Sequence, residues 1–173
     1  MTDWTARRIL REIAEAEERK AVLDSFWKSA DEHARHGALG LLARSMKFRE
    51  QTLRSAPRAR RVDLLASRIG APDFEETFEV ALMTHHTEAE RELMAAFLEK
   101  WKVPHEKGVI ESEDYQPPDE AAVEQAVKDL EGEYPLRRIL LYLATVGLLM
   151  GDAMPAWREA TWPVVDRRVS ELS

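Results

Sequence analysis

The 173 residues include no cysteine and no asparagine. The first absence removes disulfides, thiolate nucleophiles and every cysteine-based metal site together. The second removes any N-glycosylation sequon. No glycine-rich phosphate loop, no G-x-G-x-x-G, no G-x-S-x-G and no H-E-x-x-H occurs, so none of the common catalytic signatures is available. The most apolar stretch, Ile139 to Gly151, is only thirteen residues long. At about 1.5 Å per residue it reaches roughly 20 Å, short of a hydrocarbon core of about 30 Å, so it predicts a buried core helix rather than a membrane span. The start, Met-Thr-Asp-Trp-Thr-Ala-Arg-Arg, leads into a charged helical pattern instead of an apolar region, so we expect no signal peptide and a cytoplasmic, reducing setting.

What remains is a chain with 45% apolar and 33% charged residues, enough of the former to order a core and enough of the latter to solvate it. The net charge of −7 is unevenly spread. Residues 44–68 hold eight bases against two acids, net +6, whereas residues 71–133 hold eighteen acids against five bases, net −13. Such asymmetry fits either an anionic partner for the basic part or internal pairing between the two parts.

Helical periodicity dominates. From Asp3 to about Arg35 there is no Gly or Pro, and Ala6, Ile9, Ile13, Ala16, Leu23, Trp27, Ala30 and Ala34 recur in steps of three and four, broken only by Lys20. This predicts one long amphipathic helix. Gly37 is its expected left-handed cap, followed by a helix from about Ala38 to Ser55 and another from Pro57 to about Ile69. Gly70-Ala71-Pro72 punctuates the chain, and Asp73 with Glu75 and Glu76 predicts a helix start running on to about Trp101. Residues 102–118 are irregular, with Lys107-Gly108 suggesting a small β-hairpin. Asp119 is the expected cap of a helix through Val123, Val127 and Leu130. Pro135 opens the central apolar helix, whose Gly147 and Gly151 share one stripe and would let another helix approach closely. Pro155 opens a last helix, expected to bend or break at Pro163.

Three groups of residues could carry function. His33 and His36, and His85 with Glu88, have the helical spacing that lets two side chains ligate one metal, although a di-iron bundle would need Glu-x-x-His pairs that are absent. Arg54, Arg58 and Arg61 can share a face across the Pro57 joint and suit phosphate, but an isoelectric point near 5.3 argues against a dedicated nucleic-acid binder. Trp157 and Trp162 in the last helix, and His105 in the irregular loop, are the remaining binding candidates, the tryptophans being more often packing residues.

The expectation is therefore a single all-α domain over residues 1–173, with sub-halves 1–70 and 71–173. It would be a bundle of about six helices around the apolar helix 139–151. We expect a non-enzymatic protein-protein interaction module, forming a homo-oligomer or binding another protein, with no cofactor, no membrane contact and no nucleic acid. The alternatives are a metal-dependent or small-ligand helical enzyme using His85 and Glu88 with His33 and His36, and nucleic-acid binding through the Arg-rich segment 44–68.

Overall fold

The computed structural model describes residues 1–172, and among them the chain forms ten α-helices, two short 3-10 turns and no strand. Helices are more numerous than the six expected, because the long periodic stretches are cut at points where neither Gly nor Pro stands. The contacts divide the chain into two compact units, one of Ala6–Glu88 and one of Met1–Thr5 with Ala89–Ser173.

The first unit holds α1 (Ala6–Glu12), α2 (Ala16–Ser29), α3 (Glu32–Met46), α4 (Glu50–Ser55), α5 (Arg58–Ala66), a 3-10 turn at Pro72–Phe74 and α6 (Glu75–Ala89). The single helix expected from Asp3 to Arg35 is thus three. In one unbroken helix Ala16 and Lys20 would lie on the buried stripe. Both are exposed, and the break at Ile13–Glu15 lets Ile13 and Ala14 bury before the stripe resumes at Val22, Leu23, Phe26 and Trp27. The second cut follows from capping: Asp31 is extended and its carboxylate accepts from Ala34 N–H at 2.7 Å, restarting the helix as α3. Gly37 is accordingly inside α3 and not its cap. That helix ends at Lys47, in the left-handed conformation at φ 56°. The subdivision does not fall at Gly70, since Arg7 donates to the Gly70 carbonyl at 3.1 Å and to the Glu75 carboxylate at 2.9 Å, tying the Pro72 segment and the start of α6 to α1.

The second unit holds α7 (Arg91–Lys100), α8 (Glu120–Leu130), α9 (Leu136–Met150), α10 (Pro155–Arg168) and a 3-10 turn at Val169–Glu171. The helix expected from Asp73 to Trp101 stops at Ala89 and restarts after Glu90, whose carboxylate is held by a two-pronged grip from Arg138 of α9 at 2.9 and 3.2 Å. Asp119 caps α8 as expected, accepting from Ala122 N–H at 2.8 Å. The apolar helix is α9, and every residue from Ile139 to Gly147 is buried. It packs on α10, which also packs on α8. Trp162 reaches from α10 to donate to the Ala144 carbonyl at 3.2 Å, and α10 continues unbroken through Pro163. The first residues belong here because Asp166 accepts from Thr2 N–H at 2.8 Å and from the Trp4 indole at 2.9 Å. Arg167 and Arg168 of α10 clamp Glu120, Glu124 and Glu131 of α8 and its end, so these three acids of the acidic stretch find their bases within this unit.

Candidate functional site

Where the C-terminus of α9 meets the irregular loop, a groove of about 480 Å³ opens, lined by Ile110, Glu111, Ser112, Glu113, Tyr115, Leu149, Met150, Ala153 and Met154. Its floor exists because α9 outlasts its own burial: after Gly147 the apolar residues Leu148, Leu149 and Met150 are only half-buried. The chain then reverses tightly. Gly151 closes α9, and a Cβ there would come within 2.8 Å of Arg158 Nε. Arg158 donates to the Gly147 carbonyl at 3.3 Å, which also accepts from Gly151 N–H at 3.2 Å, and pairs with Asp152 at 2.8 Å. This reversal sets Met150 and Met154 on the same wall, with Met154 N–H bonded to the Met150 carbonyl at 3.0 Å.

The opposite wall is loop, and two anchors hold it. At one end, Glu106 and Val109 exchange both backbone hydrogen bonds, at 2.9 and 3.1 Å, around Lys107 and Gly108 with φ of 49° and 86°. The hairpin suggested by the sequence is reduced to this single pair of bridging residues. His105 belongs to the turn: its Nδ1 accepts from Gly108 N–H at 3.0 Å, which leaves Nε2 toward Glu99 at 3.8 Å. At the other end the Tyr115 hydroxyl accepts from the Trp157 indole at 2.9 Å. Gly108 is required twice over, for its positive φ and because a Cβ would stand 2.7 Å from the Arg91 carbonyl. Gly108→Ala should therefore lower stability by about 1–3 kcal/mol and the melting temperature by several degrees. An unshifted thermal transition would show that the turn is not held against α7.

The groove's chemistry is one-sided. Ile110, Tyr115, Leu149, Met150 and Met154 supply apolar and polarizable surface, and the charged residues on its rim, Glu111 and Glu113, are both acidic and exposed. A second groove, of about 410 Å³ between α3 and the start of α6, is lined by Asp31, Asp73 and Glu76 together with Arg44 and His33, so its charged groups are of both signs.

The residues singled out from the sequence lie elsewhere. His33 lines the second groove, whereas His36 meets Glu50 and Arg54, each at 3.3 Å. His85 is buried with Nδ1 at 3.2 Å from the Ser25 hydroxyl, which itself donates to the Ala21 carbonyl. Glu88 is exposed. The four are not brought together, and among the described residues no group of three or more His, Asp or Glu could hold a metal ion. His86, next to His85, is the more perturbed: burial, and then the neighbouring His85, push its pKa down to about 3, against a hydrogen bond from Nδ1 to the Leu82 carbonyl at 2.8 Å that works the other way. Trp157 and Trp162 are both buried, the first stacked edge-on against Trp101 at 5.7 Å, the second under Arg158 at 4.6 Å. Arg54 pairs with Glu50 at 3.2 Å and Arg58 with Asp24 at 2.8 Å, so their acids are not those of the 71–133 stretch. Sequence reasoning missed the groove because its walls come from separate stretches. The signal was Ile110 and Tyr115 standing among Glu111, Glu113 and Asp114, and an apolar run that continues past Gly147.

Compared with protein-family models, with curated proteins and with solved structures, the chain matches none.

Proposed function

We propose that the protein is a non-enzymatic interaction module that docks a basic, apolar segment of a partner protein into the groove between Ile110–Tyr115 and the end of α9. The observation that carries this reading is the groove's composition: an apolar floor with two methionines under a rim whose charges are all negative. Methionine side chains adapt to varied apolar partners, and the acidic rim selects positive charge while discouraging the chain's own acidic surface. A segment with leucine- or methionine-like residues to insert and lysine or arginine on either side meets both features. Within the unit, α9 acts as the central element of a helical bundle that holds both walls. Self-association is the other use of such a surface, and a second copy would have to bring a basic segment to it.

The test is a titration of a fluorescent lysine- and leucine-containing amphipathic peptide into the full chain. Saturable binding is expected, weakened about tenfold or more, about 1.4 kcal/mol, when Glu111 and Glu113 are both changed to Lys. Equal binding by the unaltered and charge-reversed chains would remove the groove from the function.

A further inference from the structure

In the unit Ala6–Glu88, the groove between α3 and the start of α6 holds charges of both signs that do not meet one another. Its floor follows from helical spacing. Gly37, Ala38 and Leu41 share one face of α3, and Glu76, Thr77 and Val80 share one face of α6. A Cβ on Gly37 would have nothing within 4 Å, so the groove stays open above that face. A Cβ on Gly40 would stand 3.5 Å from Arg44 Nη1, so the Arg44 side chain folds back along α3 over the same stripe. Arg44, Asp73 and Glu76 are exposed, line this one cavity of about 410 Å³, and make no ion pair among the described residues. Thr77 is only 9% exposed, yet its hydroxyl meets no hydrogen-bond partner among the described residues and is not sealed from solvent, so it opens into the groove that Thr77 lines. A buried polar group left unpaired is costly, and water or a ligand in the groove is what satisfies it.

We propose that this groove binds a free amino acid with an aliphatic side chain, its carboxylate on Arg44, its ammonium on Asp73, Glu76 and the Thr77 hydroxyl, and its side chain over Leu41 and Val80. A guanidinium fork matches a carboxylate with two parallel hydrogen bonds. An ammonium has three donors, and Asp73, Glu76 and Thr77 present three acceptors within one helical turn. A ligand of a single sign would be attracted by one set of these groups and repelled by the other, whereas a zwitterion is attracted by both. The volume of about 410 Å³ falls in the lower part of the roughly 300–1,000 Å³ range of small-molecule sites. The acidic groove belongs to the other unit, and this site does not depend on what it binds.

Leucine titrated near pH 7 into the full chain, with its leucine and valine methyl groups labelled, tests this. The signals of Leu41 and Val80 should move and saturate together at low-millimolar or tighter affinity. Leucinamide, which lacks the carboxylate, and N-acetylleucine, which lacks the ammonium, should each bind about tenfold or more weakly. The variants must match the ligand groups. Arg44→Gln should weaken leucine about tenfold and leave leucinamide within about twofold, because neither then has a carboxylate contact to lose. Glu76→Gln and Thr77→Val should weaken leucine and leave N-acetylleucine within about twofold. Arg44 and Glu76 are exposed, so both variants should melt like the unaltered chain, which separates recognition from misfolding. Arg60→Gln, an exposed change on α5, should bind leucine as the unaltered chain does. No saturable movement of Leu41 and Val80 would overturn the proposal. So would equal binding of leucine, leucinamide and N-acetylleucine, or an Arg44→Gln variant that weakens leucine and leucinamide alike.

Discussion

Gly147→Leu should cost about 2–4 kcal/mol and lower the melting temperature by roughly 5–15 °C, the largest loss expected from any single glycine in the chain. A side chain at this position would run into the Trp162 indole and the Thr161 hydroxyl of α10. To make room, α9 and α10 must separate, and the Trp162 hydrogen bond to the Ala144 carbonyl, 3.2 Å long and buried, is lost with the packing. Gly132→Ala serves as the control, because a Cβ there has nothing within 4 Å. Thermal unfolding of both variants decides the matter. Equal melting temperatures would mean that the close approach of the two helices contributes nothing.

The second large effect is on pH dependence and comes from His86. Its folded pKa is depressed to about 3, from an ordinary value near 6.5. An unfolded chain therefore takes up a proton as the pH falls through 6.5, and the folded chain does not until about 3. Stability contributed by keeping this imidazole neutral is complete above pH 6.5 and declines as the pH falls toward 3, with a slope of up to about 1.4 kcal/mol per pH unit. Between pH 6.5 and 5 most carboxylates remain charged, so the decline there reports histidine. Urea unfolding across that window should show the unaltered chain losing stability and His86→Phe remaining nearly level relative to it. Parallel curves for the two would mean that His86 is charged in the folded state.

Legibility in the sequence followed the range of the forces involved. The start of α8 at Asp119, the burial of Ile139–Gly147 and the opening of α9 after Pro135 depend on neighbours a few residues away, and all three could be read directly. The cut at Glu90 could not, because it answers to Arg138, which is 48 residues further along. The break before Ala16 left one trace, the lysine at position 20 on an otherwise apolar stripe. Helix ends were sought at glycines, whereas the positive φ values at Lys47 and Lys102 follow α3 and α7, and a lysine in that conformation carries no compositional mark. The same distinction holds for function. Arg58 and Arg61 stood out in the basic window, but the groups they meet, Asp24 and Trp27, lie in a different helix. Trp157 and Trp162 attracted attention by type alone and turned out to be packing residues whose indole N–H groups are satisfied inside the unit.

Docking of a basic, apolar segment on the wall made by Met150 and Met154 is open to direct observation through the methionine methyl groups. The chain has six methionines, and three of the others, Met1, Met46 and Met83, do not line the groove. In a methyl-labelled sample titrated with the amphipathic lysine and leucine peptide, the signals of Met150 and Met154 should move progressively and saturate together, while those of Met1, Met46 and Met83 stay in place. Saturable binding of the peptide with Met150 and Met154 unmoved, or with Met46 and Met83 shifting instead, would contradict the assignment of this groove as the protein's binding surface.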